Sequence, residues 1–177
     1  MLSYHIGMII ILFIVSANIP IKLLFKSNDY RIPLITAILG ASGGILMYLL
    51  WPLLNIPPNI NSYVQNIGLN EATWPCFLMY FILVNPFIEE YFWRGYLGGD
   101  SKKFLLNDLL FSGYHVIVLA GKMSPPWLIA IFLILACSAW FWRQTNYMSR
   151  GLLSSTISHF LADVTVIFTI YSMVIRT

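Results

Sequence analysis

Six apolar stretches, near residues 6–25, 33–54, 75–97, 104–120, 126–142 and 151–175, constrain this chain more than any other feature. Most approach the length of about 17–25 residues that carries a helix across the hydrocarbon of a bilayer. In that medium every backbone N–H and C=O must be satisfied inside the protein, and a helix does so within one segment. The runs are continuous and lack the alternation of a membrane β-barrel. The expected fold is therefore all-α: a polytopic transmembrane helical bundle of about six spans. With 59% hydrophobic and 10% charged residues, no stretch remains for a separate soluble domain. One transmembrane domain over 1–177 is expected, with two accessory helices and an outer loop in 1–73 and the core from 74 onward.

Charge placement gives an orientation. Lys22, Lys26 and Arg31 flank the first loop, Arg94, Lys102 and Lys103 the third, and Arg143 and Arg150 the fifth. Lys122 and Arg176 are the basic residues of the other side. The positive-inside rule then puts loops one, three and five in the cytoplasm and both termini outside. The net charge of +3 offers no case for nucleic acid as a partner. Cys76 and Cys137 fall in apolar runs without metal-ligand spacing and read as free core cysteines. The N-terminus lacks a basic segment and a small-residue cleavage site, so its first helix is expected to stay as an anchor.

Along the chain, His5 at the edge of the first run reads as an interfacial residue. Gly40 and Gly44 form a GxxxG pair suited to close helix packing. Residues 55–73 make the longest loop, Asn-rich and free of basic residues, placed to cover the mouth of a site. Pro86 interrupts the third run, and Trp140-Phe-Trp142-Arg143 closes the fifth as an interfacial belt.

Ionisable residues inside such runs are functional candidates by default. The third run ends in Asn85-Pro-Phe-Ile-Glu89-Glu90-Tyr-Phe-Trp-Arg94. On a helix Glu90 and Arg94 share a face, with the acid on the favourable N-terminal side. Glu89 lies about 100° round, so one carboxylate is paired and the other is free for chemistry. The fourth run carries Phe111 and His115, the sixth His159 and Asp163, each pair four residues apart and on one face. At about 1.5 Å per residue, Glu89, Glu90 and His159 lie roughly 12–14 Å deep, with His115 and Asp163 nearer 16–18 Å. Three helices thus bring polar groups to one level, which predicts a shared site. A base, imidazoles and hydrogen-bond donors are on offer, without a credible nucleophile. That set suits hydrolysis by an activated water.

These residues resemble the motifs of the CPBP family (CAAX protease and bacteriocin-processing, also called ABI) of intramembrane endopeptidases. Glu89-Glu90-x-x-x-Arg94 is similar to its EExxxR motif, Phe111-x-x-x-His115 to FxxxH, and His159-x-x-x-Asp163 to HxxxN/D. The resemblance spans about residues 74–175 and implies a glutamic-type intramembrane protease whose core is built from the last four helices. It implies that Glu89 with His115 activates water, that His159 and Asp163 stabilise the oxyanion, and that Glu90 and Arg94 support the site. It implies a membrane-associated peptide or protein as substrate, no cofactor, and a home in a prokaryotic plasma membrane. Well-studied prenyl-protein members carry Asn where Asp163 stands; an ionised Asp cannot donate to an oxyanion. The competing readings are a zinc-dependent membrane hydrolase with His115, His159 and a carboxylate as ligands, a non-catalytic membrane chaperone or immunity protein, and a transporter with a proton relay.

Overall fold

The computed structural model describes residues 1–16 and 18–175, and among them there are helices and turns but no strand. The helices are α1 (Leu2–Ile14), α2 (Arg31–Leu50), α3 (Ile60–Asn66), α4 (Trp74–Leu83), α5 (Asn85–Glu89), α6 (Leu106–Leu119), α7 (Pro125–Ser149) and α8 (Leu153–Ile175). A π-helical segment, Glu90–Tyr96, continues α5, and tight 3-10 turns occupy Ile21–Phe25 and Trp51–Leu53. Arg31–Leu53, α7 and α8 are long and apolar enough to cross a membrane, while α1 and α6 are shorter apolar helices. The surface is chemically inverted relative to a water-soluble protein. Leu34, Ile38, Leu49, Ile129 and Leu133 face outward, whereas Glu89, Glu90, His159 and a set of serines are buried. The protein is a helical membrane bundle.

The first apolar run departs from the expected single helix over 6–25. Helix α1 stops at Ile14, and the chain reaches the turn at Ile21–Phe25 through Pro20, which has no amide to extend a helix. That turn has a structural task. The carbonyls of Leu23 and Lys26 accept from the amides of Leu152 (2.8 Å) and Leu153 (3.2 Å), satisfying donors that the start of α8 would otherwise leave orphaned. Gly151 permits the approach, because a Cβ there would strike the Lys26 carbonyl.

Helices α2 and α8 run parallel in the most extensive helix contact of the molecule. Gly40 abuts the Ser158 backbone and Gly44 the Thr165 backbone, so closely that neither position has room for a methyl group. Cross-helix hydrogen bonds reinforce the seam: Thr36 Oγ1 donates to the Ser154 carbonyl (2.8 Å) and Thr169 Oγ1 to the Gly44 carbonyl (3.2 Å). The GxxxG pair thus packs within the chain.

Three further expectations change. The loop 55–73 folds partly into α3, whose Val64 packs with Trp74, Ile167 and Val174 at the far end of α8. Cys76 and Cys137 are free but exposed on the outer helix surfaces rather than in the core. Two of the cations counted for orientation, Arg94 and Arg143, are buried in ion pairs with Glu90 and Asp108, and Arg176 lies outside the described residues.

Candidate active site

The third apolar run is built to be irregular. Pro86 cannot donate to the Ile82 carbonyl, and the ladder breaks at Val84, where φ is −118°. After Glu89 the helix widens into the π segment, closed by the Leu97 amide donating to the Phe92 carbonyl (2.9 Å). Such π turns are rare and concentrate at functional sites. Asn107 Nδ2 caps the end by donating to the Leu97 carbonyl (2.8 Å), and Gly98 passes so close to the Arg94 carbonyl that a side chain would not fit.

Glu90 and Arg94 pair as their spacing suggests: Arg94 Nη1 donates to Glu90 Oε1 at 3.0 Å. The same oxygen accepts from His159 Nδ1 at 2.9 Å, so Glu90 ties the π segment to α8. The guanidinium lies 4.1 Å from the centre of the Phe111 ring and 4.8 Å from that of Trp142, two cation–π contacts that shelter it. Trp142 stacks on His159 at 4.9 Å and donates from Nε1 to Ser158 Oγ (2.9 Å). It belongs to the site, not to an interfacial belt, because α7 turns this face towards α8.

With Nδ1 committed, His159 turns Nε2 towards Glu89 Oε2 (3.7 Å) and Asp163 Oδ1 (3.6 Å). Both separations exceed a direct hydrogen bond. Among the described residues Glu89 Oε2 has no hydrogen-bond partner, and neither do Glu90 Oε2 and Arg94 Nη2. The cluster is closed rather than a wide cavity, with Glu89 only 1% exposed. A cavity of about 220 Å³, lined by Arg94, Gly95, Asn146, Arg150 and Gly151 among others, lies on another side of Arg94; neither Glu89 nor either site histidine lines it.

His115 arrives from α6, half-buried, with its ring 4.6 Å from that of Phe111. Its Nδ1–H donates to the Phe111 carbonyl (2.8 Å), leaving Nε2 as the free nitrogen. No hydrogen bond or ion pair links it to Glu89 among the described residues.

Sequence reasoning missed the contribution of α1. His5 is buried, 1% exposed, and not interfacial: its ring contacts Tyr80 Oη at 2.7 Å and Asn85 Oδ1 at 2.9 Å. Asn85 Nδ2 donates in turn to Asp163 Oδ2 (2.9 Å). Tyr4 lies beside Glu89, accepts from the Trp93 indole (2.9 Å) and stacks on Tyr114 at 3.8 Å. The one available signal was a histidine and a tyrosine at the start of an otherwise aliphatic run.

Arg143 was also misread. It forms a buried pair with Asp108 (2.7 Å) and donates to the carbonyls of Gly99, Ser101 and Lys103, clamping the loop between the π segment and α6. Its work is structural. Among the described residues no three His, Cys, Asp or Glu side chains are grouped to hold a metal ion.

A family model described as type II CAAX prenyl endopeptidase, Rce1-like, matches residues 71–165. That range holds Asn85, Glu89, Glu90, Arg94, Phe111, His115, His159 and Asp163, and it stops short of α1. No curated protein and no solved structure matches the chain.

Proposed function

The chain belongs to the Rce1-like family of type II CAAX prenyl endopeptidases, and from that membership we propose that Glu89 activates the water that cleaves its substrate. Membership makes it a membrane endopeptidase in general terms. The substrate is a peptide or protein that shares its bilayer.

The observation that carries the proposal is the unequal use of two adjacent carboxylates. Each carboxylate keeps one oxygen unpartnered among the described residues, but Glu90 Oε1 is shared by Arg94 and His159 Nδ1, while the unpartnered Oε2 of Glu89 is the one that faces His159 Nε2. In the proposed cycle, Glu89 takes a proton from water as the resulting hydroxide attacks the scissile carbonyl. His115 Nε2, whose lone pair is free when the ring is neutral, holds the same water. The oxyanion is met by Nε2–H of protonated His159 and by Asp163 in its protonated form. Glu89 then delivers its proton to the departing amine, which returns the site to its starting state. Glu90 and Arg94 act as positioning residues. No metal enters the cycle, since the carboxylate supplies the base and the imidazoles supply hydrogen bonds.

The test is cleavage of a quenched fluorescent peptide by the purified protein in lipid nanodiscs. Glu89→Gln is expected to abolish turnover in a folded protein, and chelators are expected to have no effect. Turnover surviving Glu89→Gln would overturn the proposal. Loss on chelation with recovery on zinc addition would favour the metal reading, and an inert wild type the non-catalytic one.

A further inference from the structure

The polar groups around Asp163 continue away from the proposed reacting centre in a single file that runs through the accessory helix α1 to Tyr80 on α4. Asp163 Oδ2 accepts from Asn85 Nδ2 at 2.9 Å. Asn85 Oδ1 lies 2.9 Å from His5 Nε2, and His5 Nδ1 lies 2.7 Å from Tyr80 Oη. Because Asn85 presents its amide nitrogen to the carboxyl, its oxygen faces His5, and that nitrogen must carry the hydrogen. His5 Nδ1 is then the acceptor for the Tyr80 hydroxyl. The donors thus run in one sense: Tyr80 to His5, His5 to Asn85, Asn85 to Asp163. Asn85 and His5 are buried, at 4% and 1% exposure, so no surrounding solvent offers them substitute partners.

This file decides which oxygen of Asp163 is available. With Oδ2 held by Asn85, Oδ1 is the one left 3.6 Å from His159 Nε2. A carboxyl without that anchor can rotate about its terminal bond, whose torsion is broad and soft, and can turn either oxygen or neither towards His159. A fixed donor on one oxygen removes that freedom and forces any proton on Asp163 onto Oδ1, the oxygen facing the chemistry.

We propose that His5 and Asn85 are positioning residues for Asp163: α1 reaches into the site and, through Asn85, fixes the carboxyl so that Oδ1 faces the reacting carbonyl. The inference rests on the hydrolytic reading above for its kinetic consequence, but the geometry it asserts is measurable without turnover. It also assigns the N-terminal helix a part in the site that lies outside the family-matched residues.

The experiment uses the full chain in nanodiscs, with His5→Phe, which keeps the ring and removes both nitrogens, and His5→Gln, whose amide restores a donor near the place of Nε2. Asn85→Leu removes the central link. The first readout is infrared absorption of protein labelled with ¹³C-aspartate, the Asp163 band being the one lost in Asp163→Asn. That band is expected to shift in Asn85→Leu and His5→Phe and to return towards its wild-type position in His5→Gln. The second readout is steady-state cleavage: kcat is expected to fall about tenfold to a hundredfold in the first two variants, with KM little changed and most activity kept in His5→Gln. An unshifted band in both Asn85→Leu and His5→Phe, with each variant folded, overturns the positioning role. So does a KM rise at constant kcat, or a loss in His5→Gln equal to that in His5→Phe. If the band shifts as expected while wild type cleaves nothing, the hydrolytic reading fails and the positioning stands.

Discussion

Glu90→Gln replaces one oxygen by nitrogen in a fully buried ion pair, so its cost can be argued closely. The Arg94 side chain is 3% exposed, and its one ion-pair partner among the described residues is Glu90. Removing one partner of such a buried pair costs about 3–5 kcal/mol, because the other charge is left uncompensated. Two features place this case at the lower end. A glutamine still offers Oε1 to Arg94 Nη1 and His159 Nδ1, and the rings of Phe111 and Trp142 continue to stabilise the cation by about 1–2 kcal/mol. The expected loss is about 3 kcal/mol. Glu89→Gln, one residue away and equally conservative, is expected to cost less than about 1 kcal/mol, since Glu89 Oε2 has no hydrogen-bond partner among the described residues for the change to break. The assay is reversible unfolding in mixed micelles, comparing wild type, each glutamine variant and the double variant Glu90→Gln/Arg94→Met. Removing both charges should recover much of the loss, as replacing a buried pair by apolar groups is often near neutral. Equal stability of the two single variants, or a double variant weaker than Glu90→Gln, would refute the assignment of Glu90 as Arg94's counter-charge.

Two further outcomes are expected. If protonated Asp163 is the second oxyanion donor, wild-type turnover falls as rising pH removes its proton, whereas D163N, which donates at every pH, keeps activity on the alkaline side. Its amide oxygen would accept from Asn85 in place of Oδ2, turning the NH₂ towards His159; a folded D163N that is inactive across the whole pH–rate profile would exclude the donor role. Along the α2–α8 seam, Gly44→Ala should destabilise by about 1–3 kcal/mol because the added methyl meets Thr165 backbone that cannot step aside. Gly43→Ala, whose methyl would meet only the Val166 side chain at 3.6 Å, should be tolerated, and equal unfolding midpoints would reject this account of the seam.

What the sequence disclosed and what it concealed follow from the range of the interactions. Helical class came from run length alone, and the Glu90–Arg94 pair from four-residue spacing within one helix. The meeting of His159 with Glu90 was approachable because both carry a depth along their own helices. Depth does not fix rotation, however. Trp142 was read from its place at the end of α7 as a belt residue, yet the helix turns it inward onto His159. His5 was hidden for the same reason: nothing local distinguishes a histidine at a membrane surface from one whose partners, Tyr80 and Asn85, are far along the chain. The end of α1 at Ile14 was lost in an apolar run whose hydropathy continues past the break.

The accessory helix α2 is coupled to the site more directly than its lack of motifs suggests. Ser158 sits at the junction. Its backbone is the surface against which Gly40 packs, and its hydroxyl accepts from the Trp142 indole. Trp142 in turn stacks on His159, the residue next to Ser158, and shares with Phe111 the sheltering of Arg94. How closely α2 can approach α8 therefore bears on the lateral position of His159 relative to Glu90. A side chain at Gly40 would push Ser158 away from α2, towards Trp142, and disturb both the imidazole and the arginine pair. Packing at a glycine remote in sequence and charge geometry at the carboxylates are thus one constraint, and a substitution at Gly40 should lower turnover at temperatures well below those at which the bundle unfolds.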